Sequence, residues 1–308
     1  MMLQAVVSTM FEVLVPLSLP VIAGVLLVRL KHIKTDHILT MVLYFFTPVL
    51  VYHTLSTAEI TFADVSKTVQ FCALNLFLLW SAARLLGKIF KLPPPLMAGL
   101  TLVSTLTNSI NYGLPLVLLT FGKAGLDKIS VYVIIQMLIT NTFGVFFAAR
   151  SRFSVLDAIK SVFRLPAVYA AVLAVFLRWF DLSLPDGIVK GIEMTTQAFS
   201  PLVLTVLGTQ MANVKNAKFA PEARHAVAAG LTVRLILSPL LAFLGLTLLG
   251  VEGLLFSALF ILASMPVSVN SVILAEKFDA SAEIVSKCIL WTTLASFVVL
   301  PFLIELVR

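Results

Sequence analysis

The sequence predicts an all-α membrane protein of ten transmembrane helices, built as two inverted five-helix repeats in which helices four and nine are broken. Three observations carry this expectation: long apolar runs with little charge, an uneven spread of Lys and Arg between alternate loops, and short motifs that recur half a chain apart. Hydrophobic residues make up 60% of the 308 residues and charged residues 12%, where a soluble domain carries about 25% charged residues. Mean hydropathy is +1.05. The apolar residues fall in runs of about 20, the length a helix needs to cross a hydrocarbon layer of roughly 30 Å. They do not alternate with period two, which excludes a closed barrel and leaves helices as the spanning elements.

Ten such runs are readable: Val7 to Val28, His37 to Leu55, Val69 to Phe90, Pro95 to Phe121, Ile129 to Ala149, Leu165 to Phe180, Ile188 to Met211, Ala223 to Leu249, Leu254 to Ala275 and Ala282 to Leu306. Turn signals such as Pro93-Pro94-Pro95 and Pro185-Asp186-Gly187 separate them, and no linker is long enough for a second domain. The first run has no basic leader and no small-residue cleavage pattern, so it is read as a retained span. Cys72 and Cys288 both lie in apolar runs, which provides neither a disulfide framework nor a CxxC metal site.

Alternate loops differ in charge. Arg29, Lys31, Lys34, Arg84, Lys88, Lys91, Arg150, Arg152, Lys160, Arg164, Lys215, Lys218, Arg224, Lys277 and Lys287 fall on one side. Only Lys67, Lys123, Lys128, Arg178, Lys190 and Arg308 fall on the other. Positive residues stay cytoplasmic, so this segregation predicts a multi-pass protein of the cell membrane with both termini outside. It also accounts for the net charge of +7 without nucleic acid as a partner; the lipid bilayer is the partner implied.

The halves echo each other. Phe46-Thr47-Pro48 resembles Phe199-Ser200-Pro201, and the pairs Pro16 with Pro166 and Pro115 with Pro266 recur at nearly the same distance. Residues 1–150 and 151–308 are therefore expected to be five-helix repeats, and an odd number of spans makes the second inverted, as in many secondary transporters. In span four, Asn108-Ser109-Ile110-Asn111-Tyr112-Gly113-Leu114-Pro115 places a proline and a glycine near mid-membrane; span nine has Ser264-Met265-Pro266-Val267-Ser268-Val269-Asn270-Ser271. Proline removes a backbone N–H and clashes with the preceding turn, so both helices are expected to unwind there. The freed backbone groups need polar partners or a water-filled cavity, which Asn108, Ser109, Asn111, Ser268, Asn270 and Ser271 suit. Half-helix N-termini beside such a cavity attract carboxylates. No Asp or Glu lies in either stretch, which favours a small organic anion or a polar guest over a cation.

These stretches also resemble a known family. Asn108 to Leu116 with Phe121-Gly122-Lys123-Ala124-Gly125-Leu126 is similar to the span-four signature of the auxin efflux carrier family, which includes bacterial malate-permease-like proteins and plant PIN-formed carriers. Ala263 to Asn270 with Leu274-Ala275-Glu276-Lys277 resembles its span-nine signature, and Thr293-Leu294-Ala295-Ser296 with Pro301 its tenth span. The resemblance implies crossing helices four and nine in a transport unit of helices three to five and eight to ten. It further implies a scaffold of helices one, two, six and seven, elevator-type movement, and a homodimer formed through that scaffold. Carried over by position, Asn111 and Asn270 become the foremost substrate-contacting side chains, with Asn108, Tyr112, Gly113, Pro115, Pro266 and Ser268 around them. The loop between spans five and six is short, so the cytoplasmic segment of the plant carriers is absent.

Arg234 lies about ten residues inside span eight, where a charge is costly unless it is paired or beside water. Either a structural pairing or a role in drawing in an anion would fit. Glu193 and Glu12 are placed nearer the outer face, in packing or in proton coupling. Gln136, Asn141 and Gln197 are expected as interhelical hydrogen bonds. No buried Asp pair, HExxH, Ser-His arrangement or phosphate loop is present, so enzyme chemistry is not expected. No cofactor is implied, and coupling to Na⁺ or H⁺ stays open, as do an anion channel, a coupled symporter and a non-transporting receptor.

Overall fold

The computed structural model describes residues 2–32, 35–149, 160, 162–212 and 221–308. Of the basic residues assigned to loops, Lys34, Arg150, Arg152, Lys215 and Lys218 lie outside them. The described residues form eleven helices and no strand. They are α1 (Gln4–Lys31), α2 (His37–Thr57), α3 (Phe62–Ile89), α4 (Pro94–Thr105), α5 (Ser109–Ala149), α6 (Pro166–Trp179), α7 (Asp186–Ala212), α8 (Ala223–Leu248), α9 (Gly253–Ala263), α10 (Asn270–Phe278) and α11 (Ala282–Val307). Six of them, α1, α2, α3, α5, α8 and α11, are long and apolar enough to cross a membrane. The 11 residues of α9 rise only about 16 Å, half a hydrocarbon layer, because the chain unwinds at Ser264 before resuming as α10.

Proline shapes the helices, though not in the expected way. Wide π-helical turns at Met10–Leu14, Val42–Phe46, Ser109–Gly113 and Val233–Leu237 each end two residues before a proline: Pro16, Pro48, Pro115 and Pro239. The ring cannot accommodate a normal preceding turn and offers no N–H to it. The helix instead adds a residue there and carries on. Pro115 therefore sits in the first turn of an intact helical stretch, and the true break in this segment is upstream, at Leu106–Asn108. In the second segment Pro266 does lie inside the break, between Ala263 and Asn270. The two prolines thus hold different places, contrary to the unwinding expected at both. Further along, Gly122 adopts φ 64° and ψ −159°, which splits α5 into two arms without ending it.

Two groups of helices pack side by side. α7 lies along α1, α6 along α2, and α7 also meets α2. The backbones of α1 and α7 touch: a Cβ on Gly24 would run into Thr205 O, and one on Gly208 into Val21 O. Small residues at such a seam let helices associate through close packing where lipid supplies no hydrophobic drive. Arg178 at the end of α6 donates to Ala58 O at 2.7 Å and Leu55 O at 3.2 Å, which ties it to α2. The second group gathers α3, α4, α5, α8, α9, α10 and α11 around a core that includes Phe71, Leu100, Leu116, Phe260 and Ile289. It meets the first group where α2 and α7 lean on α5, and where Thr9 of α1 donates to Glu305 of α11.

Replacing Gly208 by Ala forces α1 and α7 apart, and overpacking of this kind costs about 1–3 kcal/mol. The melting temperature in detergent should drop for Gly208→Ala. It should hold or rise slightly for Gly191→Ala on the same helix, where an added Cβ meets nothing within 4 Å.

Candidate functional site at the crossing of two broken helices

At the break after α4 and the break after α9 the two chains run antiparallel and pair as a single bridge, with Thr107 opposite Val267. Asn108 N donates to Pro266 O at 2.8 Å and Ser268 N to Leu106 O at 2.9 Å. Each break thereby satisfies backbone groups of the other, where the sequence pointed to side chains or water. Val267 N is taken by Thr292 Oγ1 of α11 at 3.2 Å. The bridge leaves four helix ends at the crossing: the C-termini of α4 and α9 and the N-termini of α5 and α10.

The C-terminal ends share one partner. Arg234, in the π-helical turn of α8 and only 1% exposed, donates through its guanidinium to Ser104 O and, at 3.4 Å, to Ala263 O. Ser238 Oγ adds a bond to Ala263 O at 2.8 Å. Each helix C-terminus carries about half a negative charge, so two of them amount to roughly one, which a single guanidinium balances. Among the described residues no carboxylate pairs with Arg234. Its guanidinium thus joins the carbonyl ends of the two helices. Beside it, Thr107 Oγ1 bonds Ser109 Oγ, which lies 3.5 Å from Tyr132 Oη and donates to Leu262 O at 3.4 Å.

The N-terminal ends face a cavity of about 260 Å³. The crossing contributes Thr107, Asn108, Asn111, Ser268 and Asn270 to its wall, and the far arm of α5 contributes Gln136, Thr140 and Asn141. The opposite wall is Leu43, Tyr44 and Thr47 of α2 with Leu165, Pro166 and Ala167 at the start of α6. Among the described residues no Asp, Glu, Lys or Arg lines it. Asn108 Nδ2 and Gln136 Nε2 are buried and unpaired among the described residues, and a buried donor in that state costs about 1–3 kcal/mol until an acceptor meets it.

Four of the residues singled out in the sequence, Asn108, Asn111, Ser268 and Asn270, therefore come together at the cavity. The other four do not line it. Tyr112 is buried on the side of α11, its Oη 3.4 Å from Ser296 Oγ. Gly113 packs so closely on α9 that an added Cβ would lie 2.6 Å from Leu262 Cδ2. Pro115 is buried in α5, and Pro266 serves through its carbonyl in the bridge. Glu193 is exposed on α7 and takes no part in the crossing, and Gln197 is likewise exposed. Gln136 and Asn141, expected to join helices, line the cavity, and Thr140 completes a polar patch at positions 136, 140 and 141. That i, i+4, i+5 spacing in an apolar run was the available signal.

A helical protein with several membrane-crossing helices and a polar cavity at a pair of broken helices has the form of a membrane transporter. Residues 6–304 match the membrane transport protein family, the auxin efflux and PIN-like group, and the chain belongs to it. An uncharacterized transporter of Methanocaldococcus jannaschii is 28% identical over 278 residues, 84% of this chain and 85% of that protein. One of Methanothermobacter thermautotrophicus is 31% identical over 207 residues, 66% of each chain.

Arg234→Ala removes charge-assisted bonds worth about 1.5–3 kcal/mol each and leaves two buried helix ends uncapped. A fall in detergent melting temperature larger than that of any single cavity-wall variant is expected. Arg234→Lys, a point charge without the planar fork, should recover only part of it.

Proposed function

We propose that this protein is a secondary transporter that carries a small organic anion bearing a carboxylate by alternating access of elevator type. The observation that carries the reading is the cavity wall. Amide and hydroxyl groups and two helix N-termini meet there, and among the described residues no ionisable carboxylate opposes an anion. Each N-terminus contributes about half a positive charge, so the pair matches roughly one carboxylate. Size agrees as well, since a cavity of about 150 Å³ already accepts benzene and this one is about 260 Å³.

The elevator reading rests on where the wall changes hands. One side belongs to α2 and α6 and the other to α5 and the crossing, so a slide of the second helix group along the first would carry the bound anion with it. On this reading the chain has ten spans, counting each broken segment as one, in repeats over 1–150 and 151–308. The scaffold is α1, α2, α6 and α7, and Tyr169, Val172, Phe176 and Trp179, exposed on α6, suit a homodimer contact. Positive-inside orientation puts both termini outside the cell membrane and makes the present form inward-facing, because Leu165 and Pro166 belong to the Lys- and Arg-rich side. The bridge between Thr107 and Val267 stands behind the cavity, which suits a carrier better than a continuous pore. No cofactor enters the proposal.

A thermal-shift screen against mono- and dicarboxylates, with and without Na⁺, selects the acid for flux measurements in proteoliposomes. Saturable uptake with counterflow is expected. Asn111→Ala and Asn270→Ala should each reduce it about ten- to hundredfold, the worth of one hydrogen bond to a charged group, with melting temperature nearly unchanged. Unaltered flux in both variants, or unitary currents in the parent protein, would overturn the proposal.

A further inference from the structure

A second concavity, about 580 Å³, opens on the outside of the helix bundle and shares no residue with the cavity at the crossing. Its walls include Trp80 of α3, Met97 and Thr101 of α4, and Phe146 and Phe147 at the end of α5. Arg84 stands in the same wall. It is exposed and makes no hydrogen bond or ion pair with the described residues. Five residues separate it from Ile89, the end of α3, a depth of roughly 8 Å at 1.5 Å per residue. A guanidinium facing lipid at that depth reaches outward for the nearest anion, and the layer it reaches is that of the lipid phosphates.

The surroundings bias the choice among lipids. Lys88 follows one turn after Arg84 and Lys91 comes next, both exposed, so three cations line up toward the end of α3. The chain carries no Asp or Glu between Asp64 and Asp127. The stretches of α3 and α4 that line the groove therefore supply no acid to balance them. A zwitterionic headgroup would set its own ammonium beside Lys88 and Lys91, whereas a headgroup with net negative charge leaves no cation opposed to another.

We propose that the groove between α3, α4 and the end of α5 is a binding site for one anionic phospholipid, its phosphate held by Arg84 with Lys88 and its acyl chain lying against Trp80, Met97 and Phe146. Arginine suits the task because its planar fork meets two phosphate oxygens at once. The site stands apart from the transport reading, since it rests on neither the crossing nor the substrate. Its position bears on transport all the same. α4 ends at the crossing, and the turn Thr140–Gly144 that leads to Phe146 contributes Thr140 and Asn141 to the cavity wall.

Native mass spectrometry of the purified full-length protein, titrated with phosphatidylglycerol or with phosphatidylcholine of the same acyl chains, tests the site. One phosphatidylglycerol per chain should be retained in preference to phosphatidylcholine, and an excess of inorganic phosphate should not displace it. Arg84→Gln should lower that preference about fivefold, the worth of one cation beside an anionic lipid. Lys88→Gln should lower it less, and Lys31→Gln, an exposed lysine of the same side outside the groove, should leave it intact. Equal retention of both lipids, displacement by phosphate, or an equal loss in Arg84→Gln and Lys31→Gln would overturn the assignment.

Discussion

Two interrupted helices can stay interrupted inside a membrane only if the backbone groups they release find partners, and in this protein the interruptions supply part of that need to each other. Asn108 N to Pro266 O and Ser268 N to Leu106 O form the link between them. Arg234 takes up the carbonyl ends that remain on one side. The same constraint orders the charge. The negative ends of α4 and α9 point at a buried guanidinium, and the positive ends of α5 and α10 are left facing the cavity. The cavity wall thus carries two helix N-termini and, among the described residues, no charged side chain.

Around that crossing the helices divide the work. α1 and α7 approach until their backbones touch at Gly24 and Gly208, which makes a dense seam. The helices that carry the crossing are joined by hydroxyls instead: Ser238 to Ala263 O, Thr107 to Ser109, and Ser109 to Tyr132. Hydrogen bonds at this depth hold the breaks in one geometry, so the amides of Asn108 and Gln136 are presented in a fixed arrangement rather than being free to satisfy themselves.

Much of this was legible in advance, and what was not has a common cause. The helical class followed from apolar runs, and the two segments that break were marked by Pro115 and Pro266. The exact place of the first break was not readable, because it depends on which residues the second segment lies against. Proline alone would have widened the helix at Ser109–Gly113, as prolines do at three other places in the chain. Unwinding at Leu106–Asn108 required the backbone of Pro266 and Ser268 as a neighbour. Arg234 stood out by its depth, yet its partners are main-chain carbonyls, which leave no trace in residue identity. Gln136 and Asn141 were visible as amides in an apolar helix, but whether such a residue joins two helices or faces a cavity is decided by what lies opposite.

Taken alone, the sequence determined that the chain must live in a membrane as helices, that two of its segments could not run through unbroken, and that no acid would stand at those points. Composition and proline chemistry act within a few residues, so they are written locally. Which breaks meet, which end of each half-helix is capped and which is left open, and which amides gather around one cavity were decided only by tertiary structure. Those outcomes depend on contacts between residues some 160 positions apart, Thr107 and Val267 above all, and the energy of such a contact belongs to the pair, not to either residue.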